Sequence, residues 1–179
     1  MADNKNIKVY DNYIDPIYFA KLQKEMMSER FPWTYTDQII SKEPRENNFQ
    51  FVHLFFNMSF FVSDKIDLIR PIIDQLGAVA IHRIKANCNL RTEQIKEAGF
   101  HTDISESRMI ESEPMVAILY INSNDGYTIF EDGTKIESVE NRFVSFDSNI
   151  KHSGTSCTNQ QVRLVVNINY FAPDLHINN

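Results

Sequence analysis

Two cysteines, five glycines, six prolines and one tryptophan are all that 179 residues hold of the residues that staple, loosen or break a chain. Cys88 and Cys157 are too few for a disulfide framework, so free thiols in a reducing compartment are expected. Glycine and proline at this level exclude collagen-like and low-complexity architectures. No stretch approaches the ~20 apolar residues of a membrane span. The first residues, Met1-Ala2-Asp3-Asn4-Lys5-Asn6, are polar with no apolar run behind them. No membrane partner and a cytoplasmic location are therefore expected. Basic residues are scarce in the second half. Residues 1–98 balance 13 basic against 13 acidic side chains, whereas residues 99–179 carry 5 against 11, so the whole net charge of −6 sits there. An acidic half repels phosphate backbones and favours neutral or cationic substrates. Nucleic acid is disfavoured but not excluded, since one local basic groove suffices.

What the chain does have is core material. It is 42% hydrophobic, with 13 Phe and 7 Tyr, enough for a single domain over residues 1–179. The first part, 1–78, reads as supporting helices with the first strands. Ile7–Tyr10 is strand-like, and Asp15-Pro16 is a helix start, with Asp as N-cap and Pro at the first helical position. Ile17, Phe19, Ala20, Leu22, Met26 and Met27 form a helical stripe that runs to about Glu29. Residues 36–50 form a polar loop, either a segment covering substrate or an ordinary surface connection. Phe51–Met58 is strand-like. Asp64–Leu76 reads as a second helix, closed by Gly77 and bent at Pro71.

From residue 79 the period changes to two. Val79–Ala86, Met115–Asn122, Tyr127–Phe130, Lys135–Val139, Arg142–Phe146 and Val162–Phe171 are strand candidates with short turns between several of them. Helices first and strands afterwards predict an α+β fold with an antiparallel sandwich or barrel. The last strand carries Leu164, Val166, Ile168 and Tyr170 on one face and Arg163, Val165, Asn167 and Asn169 on the other. The second face belongs either in water or in the polar pocket of a rolled sheet; the placement of Arg163 shortly after His152 favours the pocket.

His101-Thr102-Asp103, His152 and Arg163 carry the chemistry. His-x-Asp alone occurs by chance roughly 0.3 times in such a chain, so the tripeptide is weak by itself. In extended backbone, residues i and i+2 share a face, so His101 and Asp103 can converge on one ion. With His152 they make the ligands of a 2-His-1-carboxylate triad, which binds Fe(II) and leaves positions open. Zinc with two His, one Asp and a water is the chemical rival. The want of an obvious extra Glu base, and the presence of Arg163, favour iron. His53 and His82 lie in apolar stretches and read as core histidines, and His176 as a solvated tail residue.

His101-x-Asp103, Gly126-Tyr127-Thr128-Ile129-Phe130, Asn141 to Asp147, His152-Ser153-Gly154, and Arg163 on a strand ending Asn169-Tyr170-Phe171 together resemble the Fe(II)- and 2-oxoglutarate-dependent oxygenases. The branch is the prolyl-4-hydroxylase-like one, and the look is closest to bacteriophage-encoded members, which would place the protein in host cytoplasm. The match covers residues 79–171. The resemblance implies a double-stranded β-helix (jelly roll) with N-terminal supporting helices. It implies Fe(II) on His101, Asp103 and His152, with 2-oxoglutarate and O2 as cosubstrates and ascorbate as reductant. Arg163 would pair with the distal carboxylate of 2-oxoglutarate, to which a bidentate guanidinium is suited. Tyr120 would reach that carboxylate too, or else serve as a core aromatic. Thr128, Asn167 and Lys85 are further pocket candidates. Gly126-Tyr127 stands where the family usually has Gly-Gly, and Asn169 where it often has an aromatic.

The implied reaction is hydroxylation of a protein or peptide side chain, with proline as the first candidate. A nucleobase or small-molecule oxygenase, or an inactive jelly-roll binding module, are the alternatives.

Overall fold

The computed structural model describes residues 7–37, 49–103 and 114–173. Eleven strands are distinguished among them: β1 (Lys8–Tyr10), β2 (Thr34–Thr36), β3 (Gln50–Asn57), β4 (Phe60–Phe61), β5 (Ala80–Leu90), β6 (Pro114–Tyr120), β7 (Tyr127–Phe130), β8 (Lys135–Glu137), β9 (Phe143–Asp147), β10 (His152–Gly154) and β11 (Val162–Phe171). Helices are α1 (Pro16–Met26) and α2 (Arg70–Leu76). An eight-stranded antiparallel sheet runs β1-β9-β6-β11-β5-β3-β2, with β4 also on β3. A three-stranded sheet, β10-β7-β8, faces it.

The alternation along β11 explains the layering. Leu164, Val166 and Ile168 are buried with Ile84 and Ala86 of β5, against Phe19, Leu22 and Met26 of α1 and Ile72 of α2. Burying each such aliphatic chain is worth about 1.5–3 kcal/mol. The opposite face carries Arg163, Val165, Asn167 and Asn169, and these are buried as well. They point between the sheets, where Val116, Ile118, Tyr120, Phe130, Val144, Phe146 and Val165 form a second apolar cluster. The polar face therefore lines the interior of the roll, not its outside.

Local chemistry sets the helix ends. Asp15 Oδ1 accepts from the backbone N–H of Ile17 and Tyr18, both at 3.0 Å, and Pro16 opens α1. The helix stops at Met26 and not near Glu29. Phe31 is buried and precedes Pro32, and a residue before proline disfavours helical backbone. The expected single helix over 64–76 is interrupted: a 3-10 turn at Ile66–Leu68 is followed by α2, with Pro71 in the first turn of the new helix. There its missing N–H leaves no hydrogen bond unmade. Gly77 closes α2 in left-handed conformation, φ 62°.

β5 runs four residues further than its expected strand end at Ala86, since Asn87, Cys88 and Asn89 pair with both β3 and β11 or with β11 alone. β2, β4 and β10 are too short to show a periodicity in sequence. Most of the 36–50 loop lies outside the described residues, as does His176. His53 is a core histidine, with Nδ1 at 2.9 Å from Pro32 O and Nε2 at 2.8 Å from Ser63 Oγ. No helix among the described residues is long and apolar enough to cross a membrane.

Candidate active site

His101 and His152 are brought side by side by backbone pairing. The segment before Thr102 lies along the free edge of β10, and the two histidines exchange N–H···O bonds of 3.0 and 3.1 Å. Their rings face the same way, with centroids 4.7 Å apart. Asp103 closes the group. Its Oδ1 is 3.6 Å from His101 Nε2 and its Oδ2 3.9 Å from His152 Nε2. These spacings are too long for hydrogen bonds and leave room for an ion between the atoms. All three ligand atoms lie within 4.8 Å of one another.

The surroundings orient each ligand. His101 Nδ1 is 3.2 Å from Gly99 O, and His152 Nδ1 is 3.2 Å from Ile150 O. Each carbonyl calls for a proton on Nδ1, so each Nε2 offers its lone pair to the same point. Burial lowers the pKa of His152, against the pull of Asp103, so the ring is held in the neutral form that a metal needs. Asp103 Oδ2 accepts from Asn167 Nδ2 at 2.8 Å and Asn169 Nδ2 at 3.0 Å, while Arg83 reaches Oδ1 at 3.4 Å. Burial opposes ionisation of Asp103, but the histidines, Arg83 and Asn167 outweigh it and hold the carboxyl well below the usual carboxylate range. Two imidazoles and one carboxylate on one side of a point, with the rest open to a cavity, suit Fe(II).

That cavity is small, about 80 Å³, room for roughly three waters at the ~30 Å³ each takes in the liquid. It runs from the triad to Arg163, with Thr128, Ile118, Gly154 and Val165 along one part and Gln50, Lys85, Asn87 and Asn89 along another. Arg163 is 2% exposed. Its Nε donates to Ser138 Oγ at 2.8 Å and its Nη2 to Thr128 Oγ1 at 3.2 Å, so neutral hydroxyls hold the cation. Burial lowers its pKa, a strain that an incoming anion would relieve. The close approach needs Gly126: a Cβ there would sit 2.7 Å from Arg163 Cδ and 2.5 Å from Ser156 O.

The site residues expected from sequence divide into two ends. His101, Asp103 and His152 form one; Arg163 and Thr128 form the other. Tyr120 stands behind Thr128. Its ring belongs to the apolar interior, 5.6 Å from the Arg163 guanidinium, and its hydroxyl donates to Thr128 Oγ1 at 2.8 Å. Lys85 lines the cavity, and burial followed by the charge of Arg83 pulls its pKa down. Asn167 sits at the metal end, on Asp103. Sequence reasoning missed Asn169 as a partner of Asp103, and also Arg83, Asn87, Asn89, Gln50 and Ser138. The signal for most of them was present: Arg83, Lys85, Asn87 and Asn89 alternate with Ile84, Ala86 and Cys88 along β5, just as the two faces of β11 alternate.

The segment that follows β5 is tied down. Arg91, Thr92 and Ala98 donate backbone N–H groups to Gln161, Cys157 and Gly154 at 2.9–3.0 Å, and Lys96 O accepts from Ser156 N.

No family model and no curated protein matches the chain. Solved structures do. It is similar to the viral collagen prolyl hydroxylase of Paramecium Bursaria Chlorella virus-1, solved with 2OG: TM-score 0.60, 12% identity, 96% of this chain and 99% of that one covered. A prolyl-4-hydroxylase of Pseudomonas putida aligns at TM-score 0.62 and 14% identity, over 93% of this chain and 92% of the other. SnoK, a non-heme alpha ketoglutarate dependent carbocyclase of nogalamycin biosynthesis, aligns at TM-score 0.66 and 8% identity, over 93% and 79%. The chain therefore has the jelly-roll fold of the 2-oxoglutarate- and Fe(II)-dependent oxygenases.

Proposed function

We propose that this chain is an Fe(II)- and 2-oxoglutarate-dependent dioxygenase that hydroxylates a protein or peptide side chain. One observation carries the reading: a single cavity has three convergent metal ligands at one end and a buried, neutrally held arginine at the other. His101, Asp103 and His152 hold the metal. Arg163, supported by Thr128 and Tyr120, takes the distal carboxylate of 2-oxoglutarate through its planar fork. Bound Fe(II) supplies O2 activation coupled to decarboxylation of the cosubstrate, which leaves succinate and CO2.

The protein's part is placement. Asn167 and Asn169 fix the Asp103 carboxylate, and the carbonyls of Gly99 and Ile150 fix the imidazoles. The apolar cluster around Val165 and Ile118 keeps water from the reacting centre. A peptide substrate is supported by the two neighbours named for prolyl hydroxylation, and proline is the first residue to test. SnoK, named as a carbocyclase, supports a small-molecule substrate as the second reading.

The test is succinate release from 2-oxoglutarate with Fe(II), O2 and a panel of proline peptides, free amino acids and methylated oligonucleotides. Turnover should require Fe(II), fail with Zn(II), and vanish in His152→Ala. Stimulation by oligonucleotides alone would refute the peptide substrate, and turnover with Zn(II) in place of Fe(II) would refute the chemistry.

A further inference from the structure

The charges at the cavity do not cancel once its ligands are in place. This inference rests on the dioxygenase reading above. The two charges of Fe(II) cancel the two of 2-oxoglutarate, and Arg163 cancels Asp103. Arg83 and Lys85 are left over. Both stand on the inward face of β5, two residues apart, where β11 presents Asn169 and Asn167 opposite them. Lys85 lines the cavity, and Asp103 is the one carboxylate in the lining among the described residues. Arg83 reaches Asp103 at only 3.4 Å, its side chain is about a quarter exposed, and its Nε is buried with no hydrogen-bond partner among the described residues. Counting the described residues, the loaded site would keep one positive charge beside the metal even with Lys85 neutral.

The wall next to these cations is also unsatisfied. Asn87, the next inward residue of β5 after Lys85, lines the cavity with a buried Oδ1 that has no partner among the described residues, whereas Asn89, likewise without an Oδ1 partner among them, stands opposite Arg163 at the other end. Buried polar groups are ordinarily paired, so the wall is made for a ligand that brings hydrogen bonds with it. A carboxylate brings the missing charge and fits a guanidinium fork.

We propose that Arg83 and Lys85 select a substrate bearing a carboxylate close to the carbon that is oxidised. The carboxylate belongs either to a free acid or to an Asp or Glu side chain beside the hydroxylated residue of a peptide. The acidic second half of the chain does not oppose this, because net charge over 81 residues says nothing about which side chains turn inward.

The experiment uses the full chain loaded with Mn(II) and 2-oxoglutarate under nitrogen, so that nothing turns over. Thermal stabilisation is titrated with L-aspartate and L-glutamate against L-asparagine and L-glutamine. A second arm uses the N-acetyl, N-methylamide forms of the same four residues. The acids should bind about tenfold tighter than their amides at low salt, the ratio that one charge-assisted hydrogen bond supplies. The arm with the larger ratio identifies a free or a peptide-borne carboxylate. The acid-to-amide ratio should fall towards one in Arg83→Gln and in Lys85→Gln and survive in Arg83→Lys. Taking the ratio within each variant cancels any general weakening of the complex. Equal binding of acids and amides in both arms overturns the proposal, as does a ratio that persists in both Gln variants. If Mn(II) and 2-oxoglutarate do not stabilise the unaltered protein at all, the dioxygenase reading itself fails, and that result is seen before any acid is added.

Discussion

Gly126→Ala is the sharpest single perturbation of the Arg163 end of the cavity, the end proposed to take 2-oxoglutarate. The added Cβ would lie 2.5 Å from Ser156 O, 2.7 Å from Arg163 Cδ and 2.8 Å from Asn124 Oδ1. The first contact is backbone, and the second is the stem of an arginine held by Ser138 and Thr128. Neither can retreat without breaking hydrogen bonds. Overpacking of this kind costs about 1–3 kcal/mol, which in a chain of this size is a fall in Tm of roughly 2–12 °C. Displacement of Arg163 should also weaken 2-oxoglutarate about tenfold or more. A ligand at a hundred times its Kd adds about 2.7 kcal/mol of stability, so a tenfold loss removes about 1.4 of it. Differential scanning fluorimetry with Mn(II), with and without 2-oxoglutarate, measures both effects. Gly133→Ala is the control. Its φ of +89° makes alanine strained, yet a Cβ there meets nothing within 4 Å. It should cost about 1–2 kcal/mol of stability through backbone strain, lowering Tm, and leave the 2-oxoglutarate increment intact. If Gly126→Ala keeps the full 2-oxoglutarate increment, Arg163 does not hold the cosubstrate.

Four further outcomes are expected. Asp103→Asn removes the only carboxylate of the triad and should abolish both Fe(II)-dependent succinate release and Mn(II) binding by calorimetry; retained Mn(II) affinity would place the metal elsewhere. Asn169→Ala deletes a 3.0 Å hydrogen bond to that carboxylate and should weaken Mn(II) about 10–100-fold, the usual cost of losing a group that orients a ligand. Unchanged affinity would count against it. Arg163→Ala should weaken 2-oxoglutarate while Mn(II) still binds; normal 2-oxoglutarate affinity would refute the assignment. Burial pushes Tyr13 up to about 12. Its contribution to stability is therefore present below about 10, the pKa of the unfolded chain, and lost as pH rises through about 12. Tyr13→Phe keeps the ring stacked 3.9 Å from Phe143 and should flatten the alkaline fall in Tm. An identical fall in the variant would assign it to other groups.

The legible parts of the fold were those with long periods. The bounds of β11 are legible because its ten residues keep one wholly apolar face, Leu164, Val166, Ile168 and Tyr170, against a mostly polar one. The start of α1 was legible because Asp15-Pro16 acts locally, through a side chain reaching its own next two residues. β10 was invisible: three residues, His-Ser-Gly, have no strand signature, and their extended form comes from pairing with β7. The interruption before α2 was half legible, since Pro71 announces a disturbance but not that it opens a new helix.

In the site, residue types and their order along the chain pointed to the triad and the arginine. Ligand chemistry restricts the types, and a strand holds i and i+2 on one face. Which groups share a cavity was a matter of tertiary structure. Asn167 stands on Asp103, away from Arg163, because the four-residue step between them spans ~13 Å of strand, which carries Asn167 and Asn169 to the carboxylate of Asp103. The sheet's second inward strand, β5, adds Arg83 and Lys85, whose charge matters only through what lies opposite. Sequence by itself determined which candidate ligands and cations the chain has and the alternation that turns them inward. Distances, burial and the balance of charge arose only when strands far apart in the chain were hydrogen-bonded side by side, because Coulombic and coordination energies depend on separation in space and not along the backbone.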